Sequence, residues 1–350
     1  MNTNKKTNIL ITGGNGFVGR AVLYELAKES ALIDAGEIRI LSTKENIEIE
    51  NISNLNVKYI KGDIRDRDTI FSALEGIDVV LHLAAMVDWG THKREDVFSV
   101  NVDGTKNIID GCIKNGVKVL VATSSVDVLF AKKPVIDADE NTPLPKKLYG
   151  AYAESKAVAE QMVQNIESKD LKAAVIRPGG IYGENDPYHL PNLIKMAKKW
   201  PFLKIGNKKA KSMHVYCGNI AHAHILLAKE LLEGNVKPDR EIYFITDNPP
   251  ENIFEAICPI IEEAGIKIRP KDLWIPVWFL FPVAVLIELF TFIIKPFVQI
   301  HPALSRFALN YISTNYTIKT DKAEKDFGYT QKYSNEEALK RTAQWVKNNY

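Results

Sequence analysis

Tyr152 and Lys156 stand four residues apart in YAESK, a spacing that puts a phenol and an ammonium on one helix face about a turn from each other. A free tyrosine gives up its proton only near pH ~10, so a fixed cation beside it would bring proton transfer toward neutral pH. Tyr and Lys also meet by chance on ordinary amphipathic helices. What turns the pair into chemistry is TGGNGFVG, Thr12 to Gly19, close to the N-terminus. Gly13 and Gly16 would let the backbone approach a pyrophosphate with no Cβ in the way, and Gly19 would let the next helix pack closely on the preceding strand. The start of that helix, with Phe17 and Val18, supplies free N–H groups and a partial positive charge. Gly14, Gly16 and Gly19 also satisfy a bare GxGxxG, which alone is weak. The context strengthens it, because Asn8 to Ile11 is an apolar run suited to a buried strand and Phe17 to Ala27 has helical apolar spacing. A dinucleotide cradle and a proton-transfer pair together specify a redox chemistry that neither specifies alone.

A third element belongs with them. VLVATSSVDV, Val119 to Val128, is a β-branched apolar run ending in hydroxyls, as expected of a parallel strand whose carboxyl end faces a ligand crevice. One of Thr123, Ser124 and Ser125 could hold a substrate carbonyl there, while at least two of the three need only cap the strand end. The elements that must position these groups alternate as βα units, with further strands near Ile38 to Leu41, Lys58 to Ile60, Val79 to His82, Val117 to Val121 and Ala173 to Ile176. That alternation predicts an α/β fold with a doubly wound parallel sheet. Residues 1–176 read as the dinucleotide-binding domain. Residues 177–350 read as a smaller substrate lobe interleaved with a late return to the sheet near Glu241 to Ile245, and no internal repeat is present.

At these residues the chain resembles the extended short-chain dehydrogenase/reductases, and more narrowly their 3β-hydroxysteroid dehydrogenase branch. The matching stretches are LHLAAMVDWG (81–90), VNVDGTKNIID (100–110), VATSSVDV, YAESKAVAE, IRPGGIYGENDP (176–187), HVYCGNIAHAHILLAK (214–229) and the tail from Thr314 to Val346. The resemblance implies a Rossmann fold with a C-terminal substrate lobe. It makes Tyr152 the general acid/base, Lys156 the ligand of the nicotinamide ribose that also lowers the tyrosine pKa, and Ser125 the carbonyl-holding hydroxyl, with Ser124 as the one-place alternative. It also implies that Asp63 and Ile64 sit over the adenine and that His82, Leu83, Ala84 and Ala85 line the cofactor. Pro178 to Ile181 would lie beside the nicotinamide. Asn101 either supports the site or caps a helix, a role asparagine favours. A homodimer through the helices carrying the Asn101 and Tyr152 motifs is implied as well. Where an NAD-preferring relative carries an acidic residue after the second strand, this chain has Ser42, Thr43 and Lys44, which accept a 2′-phosphate and favour NADP(H) over NAD(H); Glu45 tempers that preference.

Composition bounds the rest. With 350 residues and 46% hydrophobic content the chain can bury a large core, and a net charge of +2 gives no field that points to nucleic acid. Cys112, Cys217 and Cys258 are far apart with no CxxC, which suits a reducing compartment and argues against a zinc site. No apolar signal precedes the first strand, so a cytoplasmic, membrane-associated protein is expected. His222 and His224 read as packing residues. Lys195, Lys198, Lys199, Lys204, Lys208, Lys209 and Lys211 gather around Trp200 to Phe202, either as a solvated surface or as one that holds anionic headgroups or an acidic substrate arm. LWIPVWFLFPVAVLIELFTFIIKPFV, residues 273–298, carries only Glu288 before Lys295. Pro276 and Pro282 interrupt it, so the reading is an interfacial helix or an apolar lid more than a span.

The expectation is an NAD(P)-dependent oxidoreductase interconverting a secondary alcohol and a ketone on an apolar substrate, foremost a 3β-hydroxysteroid or sterol. Rival readings are a long-chain β-keto-acid reductase, a decarboxylating sterol dehydrogenase, a dihydroflavonol-type reductase, a nucleotide-sugar epimerase and a non-catalytic NADP-sensing scaffold.

Overall fold

The computed structural model describes residues 6–29, 32–44, 49, 51–88, 90, 92–131, 133–294 and 304–350. Glu45, Trp89 and the stretch from Lys295 to Val298, on which parts of the sequence reading rest, lie outside the described residues.

Seven strands form the central sheet, in the order Ile242–Ile245, Lys172–Pro178, Val119–Thr123, Val79–His82, Thr7–Thr12, Ala35–Ser42, Asn56–Lys61. All pair in parallel. Parallel strands are covered on both faces, which is why Ile9, Leu10 and Ile11 follow one another and are all fully buried. One face carries the helices Phe17–Lys28 and Cys217–Leu232, packed through Val22, Leu23, Leu26, Ile220 and Leu227 onto alternate strand residues such as Ile9 and Ile11. The other carries Arg67–Ala73, Gly104–Asn115 and Ala151–Gln164, packed through Ile70, Ile108 and Val163 against Leu10, Val80 and Leu120.

The chain crosses from one face to the other between Thr7–Thr12 and Val79–His82, neighbours in space but separated by two strands in sequence. In a doubly wound sheet that reversal opens the ligand crevice at the carboxyl ends of the two strands. The glycine turn follows the first of them.

A second layer of structure covers one end of the sheet. Helices His189–Ala197, Ile253–Glu263 and Asn335–Asn349 share a core of Leu190, Ile194, Phe202, Phe254, Ile261 and Val346. Beside it the strand Tyr316–Ile318 pairs with Val135–Ala138 and closes a smaller cluster around Phe130 and Phe244. Strand Lys204–Ile205 pairs in parallel with Trp274–Ile275, which leads directly into the apolar helix Val277–Ile294.

That helix is the one large departure from a water-adapted surface. Trp278 is 75% exposed, Leu286 66% and Ile293 69%, with Phe279, Leu289 and Phe290 also exposed, while only Ala284 of its described side chains is fully buried. Glu288, the charge that made the segment awkward, is paired with Arg306 at 2.6 Å. Among the described residues no helix is long and apolar enough to cross a membrane. Its 18 residues rise about 27 Å, short of the ~30 Å hydrocarbon core.

Candidate active site

The glycine turn is a cradle made of backbone. Gly13 has φ +71°, and a Cβ there would meet the Ala84 backbone at 3.1 Å. A Cβ at Gly16 would stand 2.9 Å from the Gly13 carbonyl oxygen. Gly19 was expected to ease helix against strand, but its close approach is to the turn itself: a Cβ would lie 2.5 Å from Gly13 O and Gly14 Cα. Contact with the neighbouring strand falls instead to Gly14, whose Cβ would be 2.7 Å from Ile40. The helix that starts at Phe17 and Val18 has no side-chain cap and no acidic residue in its first turn. Its first N–H groups and dipole are therefore left to an anion, and the turn fits a dinucleotide pyrophosphate.

A buried polar chain ties this turn to the helix bearing Tyr152. Thr12 Oγ1 lies 2.8 Å from His82 Nδ1, and His82 Nε2 lies 3.0 Å from Thr105 Oγ1. Thr105 donates in turn to the Asn101 carbonyl at 2.7 Å, and the Ala84 N–H donates to Thr12 at 3.1 Å. This sequence of donors assigns the His82 proton to Nε2. Burial, with a smaller push from Lys156, lowers His82 to about 3, so the ring is neutral. Both its nitrogens are committed, so the ring braces two strands while Leu83, Ala84 and Ala85 form the loop over the turn.

Asn101 carries the chain onward. Its Nδ2 donates to the Met86 carbonyl and to Ser155 Oγ, its Oδ1 accepts from the Met86 N–H, and Ser155 donates to the Tyr152 carbonyl. Asn101 sits inside a π-helical turn, Ser99–Asp103, which excludes the helix-cap reading. Such turns concentrate at functional sites because they re-aim a side chain within a helix.

The three hydroxyls after Val119–Thr123 separate cleanly. Thr123 Oγ1 is 2.7 Å from His224 Nε2, whose other nitrogen reaches the Ile220 carbonyl, so His224 is a satisfied core residue. Ser124 Oγ is buried with no hydrogen-bond partner among the described residues. Ser125 caps the short 3₁₀ turn Val126–Leu129 by accepting from the Asp127 N–H at 3.1 Å, and it stands near enough to Tyr152 to lower the phenol's pKa.

Tyr152 and Lys156 lie on Ala151–Gln164, and Lys156 is only 5% exposed. Burial pushes the Tyr152 phenol above its usual value and the Asp127 carboxylate adds to the rise; the Ser125 hydrogen bond opposes it, and Tyr188 adds a further push. Burial also takes the Lys156 ammonium down to about 8, against the pull of Glu160. Desolvation disfavours the charged form of each partner, Tyr152 and Lys156. Among the described residues no carboxylate lies in ion-pair contact with Lys156. A buried ammonium free to donate fits ribose hydroxyls.

Asp127 is the residue that sequence reasoning missed. Burial raises its carboxyl, while hydrogen bonds from Tyr311 and Ser125 and the charge of His189 oppose the rise. His189 is disfavoured as a cation by burial, yet Asp186, which also accepts the N–H groups of Tyr188, His189 and Leu190, leaves it raised. An acid inside the apolar run VDVLF was the available signal. Its distant partners are His189 and Tyr311, which no local pattern connects to it.

Ser42 and Lys44 close the second strand, with Ser42 Oγ accepting from the Lys44 N–H at 3.2 Å. Asp63 pairs with Arg65 at 2.6 Å, and Ile64 is buried against Gly104. Pro178 ends Lys172–Pro178, and Ile181 lies in Gly180–Tyr182, in register with Val215.

Residues 10–274 match the model of the 3-beta hydroxysteroid dehydrogenase/isomerase family. The chain is 29% identical to a 3 beta-hydroxysteroid dehydrogenase type 7 of Mus musculus over 96% of its own length and 95% of that protein's. It is 31% identical to a 3beta-hydroxysteroid-dehydrogenase/decarboxylase isoform 1 of Arabidopsis thaliana, covering 95% of this chain and 78% of the relative. Among solved structures, the fold matches a UDP-glucose 4-epimerase of Thermotoga maritima with TM-score 0.73 at 19% identity, covering 98% of this chain and 99% of the other. It also matches an NAD-bound dTDP-glucose 4,6-dehydratase of Streptomyces venezuelae with TM-score 0.74 at 19% identity, covering 98% of each. The chain belongs to the 3-beta hydroxysteroid dehydrogenase/isomerase family and is an NAD(P)-dependent oxidoreductase.

Proposed function

We propose that the protein interconverts a secondary alcohol and a ketone on a 3β-hydroxysteroid or related sterol, with Tyr152 as general acid/base, Ser125 holding the reacting oxygen and Lys156 binding the nicotinamide ribose. The observation that carries this reading is Tyr152 and Lys156 one turn apart on Ala151–Gln164, with Ser125 near enough to the phenol to lower its pKa, joined to the glycine turn by the buried chain through His82 and Asn101. The names of the mouse and plant relatives support the sterol substrate.

In the reducing direction the buried, protonated Tyr152 donates its proton to the nascent alkoxide, while Ser125 Oγ polarises the carbonyl by donating to the same oxygen. In oxidation the steps reverse, and Tyr152 must first lose its proton. When bound, the nicotinamide supplies the hydride donor or acceptor and, if oxidised, a positive charge beside the phenol. Positioned proton transfer contributes roughly 10²–10⁴ in rate. Ser124, whose hydroxyl has no partner among the described residues, is the alternative oxygen ligand one place away.

Gly13, Gly16, Phe17, Val18 and Gly19 would cradle the pyrophosphate, with Asp63, Ile64, Leu83, Ala84, Ala85, Pro178 and Ile181 along the rest of the cofactor. Ser42 and Lys44 in place of an acidic residue favour NADP(H). The first part of the chain, together with Cys217–Leu232 and Ile242–Ile245, forms the cofactor-binding unit, and the rest of the second part supplies the substrate lobe. The exposed apolar helix Val277–Ile294 makes peripheral contact with a membrane surface in which a sterol dissolves, and the protein works at the cytoplasmic side as a dimer. Exposed Ile113 and Val158 on Gly104–Asn115 and Ala151–Gln164 suit that dimer interface.

The test is turnover of detergent-solubilised protein on 3β-hydroxy- and 3-ketosteroids beside a long-chain β-keto acid, with NADPH and NADH binding titrated in parallel. Steroid turnover with tighter NADPH binding is expected. Turnover of the β-keto acid alone would transfer the assignment to fatty-acyl chemistry.

A further inference from the structure

The basic residues around Trp200 are separate from the crevice just described. Ala197, Lys198, Lys199, Trp200, Lys267 and Arg269 line a surface notch of about 190 Å³. Trp200 is 83% exposed, and Lys198, Lys199, Lys267 and Arg269 are exposed with it. Nearby lysines are compensated: Lys271 pairs with Glu262 at 3.0 Å and Lys208 with Asp272 at 2.7 Å. Lys198 donates to the Tyr350 carbonyl at 2.9 Å. Among the described residues, Lys199, Lys267 and Arg269 have no acidic partner. Three uncompensated cations thus face one concave space beside an exposed indole, a combination that ordinary surface solvation does not require.

The notch is fixed to the apolar helix by one backbone ladder. The Phe202 N–H donates to the Arg269 carbonyl at 2.9 Å, the Lys204 N–H to the Leu273 carbonyl at 2.9 Å, and the Gly206 N–H to the Ile275 carbonyl at 3.1 Å. Both segments run from the notch toward Val277, where the exposed apolar helix begins. Indole rings favour the headgroup layer, and clustered lysine and arginine favour anionic lipid.

We propose that the notch formed by Lys198, Lys199, Trp200, Lys267 and Arg269 binds the headgroup of an anionic phospholipid, as a second contact that selects membrane charge while the apolar helix supplies charge-independent attachment. The inference rests on the membrane contact proposed above but assigns a distinct site with a distinct selectivity. Each cation within the headgroup field contributes roughly fivefold in binding. Losing three would therefore remove a large anionic preference and leave neutral-lipid binding in place.

The experiment is vesicle co-sedimentation of the full chain with phosphatidylcholine alone and with about one-third phosphatidylserine, a fraction that gives a negative surface potential. The variants are Trp200→Ala and the triple Lys199→Glu, Lys267→Glu, Arg269→Glu, with NADPH binding and melting temperature as controls for folding. The wild type should bind the anionic vesicles at least about tenfold more tightly, with the difference falling as salt rises. The triple variant should bind both vesicles alike, with steroid turnover in detergent unchanged. An anionic preference that survives in the triple variant, or wild-type indifference to lipid charge, would overturn the proposal. So would binding of inorganic phosphate at the notch without any vesicle preference, which would mark a site for free anions. Absence of steroid turnover would refute the proposed substrate, and absence of binding to neutral vesicles would refute the apolar attachment; in either case the anionic preference of the wild type and its loss in the triple variant decide the notch.

Discussion

The crevice and the apolar helix Val277–Ile294 are built on opposite terms. In the chain that braces the crevice, polar groups are buried and satisfied: His82 is 3% exposed and Asn101 1%, and each makes hydrogen bonds to two or more elements. On the helix, large apolar groups are exposed and unsatisfied, as with Trp278 and Ile293 at 75% and 69%. The first arrangement is complete within the chain, because an unpaired buried amide costs about 1–3 kcal/mol. The second is incomplete within the chain, because a contiguous apolar face is stable against water only when something covers it. Chemistry is held by the self-contained region, and location is set by the one that needs a surface.

Substitutions separate the two regions sharply. Gly19→Val puts side-chain atoms where even a Cβ would be 2.5 Å from turn backbone, so the cradle must open. NAD(P)H binding in a fluorescence titration should weaken by at least about a hundredfold, equal to about 2.7 kcal/mol; binding within threefold of wild type would mean that the turn is not the cradle. Asn101→Ala strips Met86 and Ser155 of their partners and should lower unfolding free energy by about 1–3 kcal/mol. A denaturant midpoint unchanged by that substitution would remove Asn101 from the bracing chain.

Asp127→Asn tests the electrostatics at the phenol. The carboxylate raises the Tyr152 pKa, so a neutral side chain lets it fall. The rising limb of the oxidation pH–rate profile, which requires the deprotonated phenol, should then move to lower pH, and the reductive limb should fail at lower pH as well. A shift to higher pH would reverse the assigned sign. The smallest effect belongs to the other region: Leu286→Ser with Phe290→Ser should change stability in detergent by no more than about 0.5 kcal/mol per site. A larger loss would mean that the helix is covered by the protein itself.

How much of this was legible in the sequence follows the same division. The strand, turn and helix around Gly13 to Gly19 could be read because backbone geometry leaves few residue choices at a cradle, and the parallel sheet because Asn8 to Ile11 and Val119 to Ala122 are apolar on both faces. Two details of the turn could not be read: the φ of +71° at Gly13 and the packing of Gly14 on Ile40 depend on neighbours 25 or more residues away. The bracing chain was invisible for the same reason. Thr12, His82, the Asn101–Thr105 turn and Ser155 come from four segments, and only the folded sheet makes them consecutive. Asp127 was overlooked because a single acid in an apolar run resembles a surface break, and its meaning comes from Tyr311 and His189. Glu288 stood out in the sequence as the one charge inside the apolar run, but Arg306 as its partner required the fold.

The most direct test of the account is Tyr152→Phe, measured for steroid turnover and NAD(P)H affinity on the same preparation. The account predicts a loss of about a thousandfold or more in turnover, within the range of positioned proton transfer, with cofactor affinity within a few-fold of wild type. A variant that binds cofactor normally and still turns over at a near-normal rate would show that the proton passes through another group, and the assignment of this site would fall.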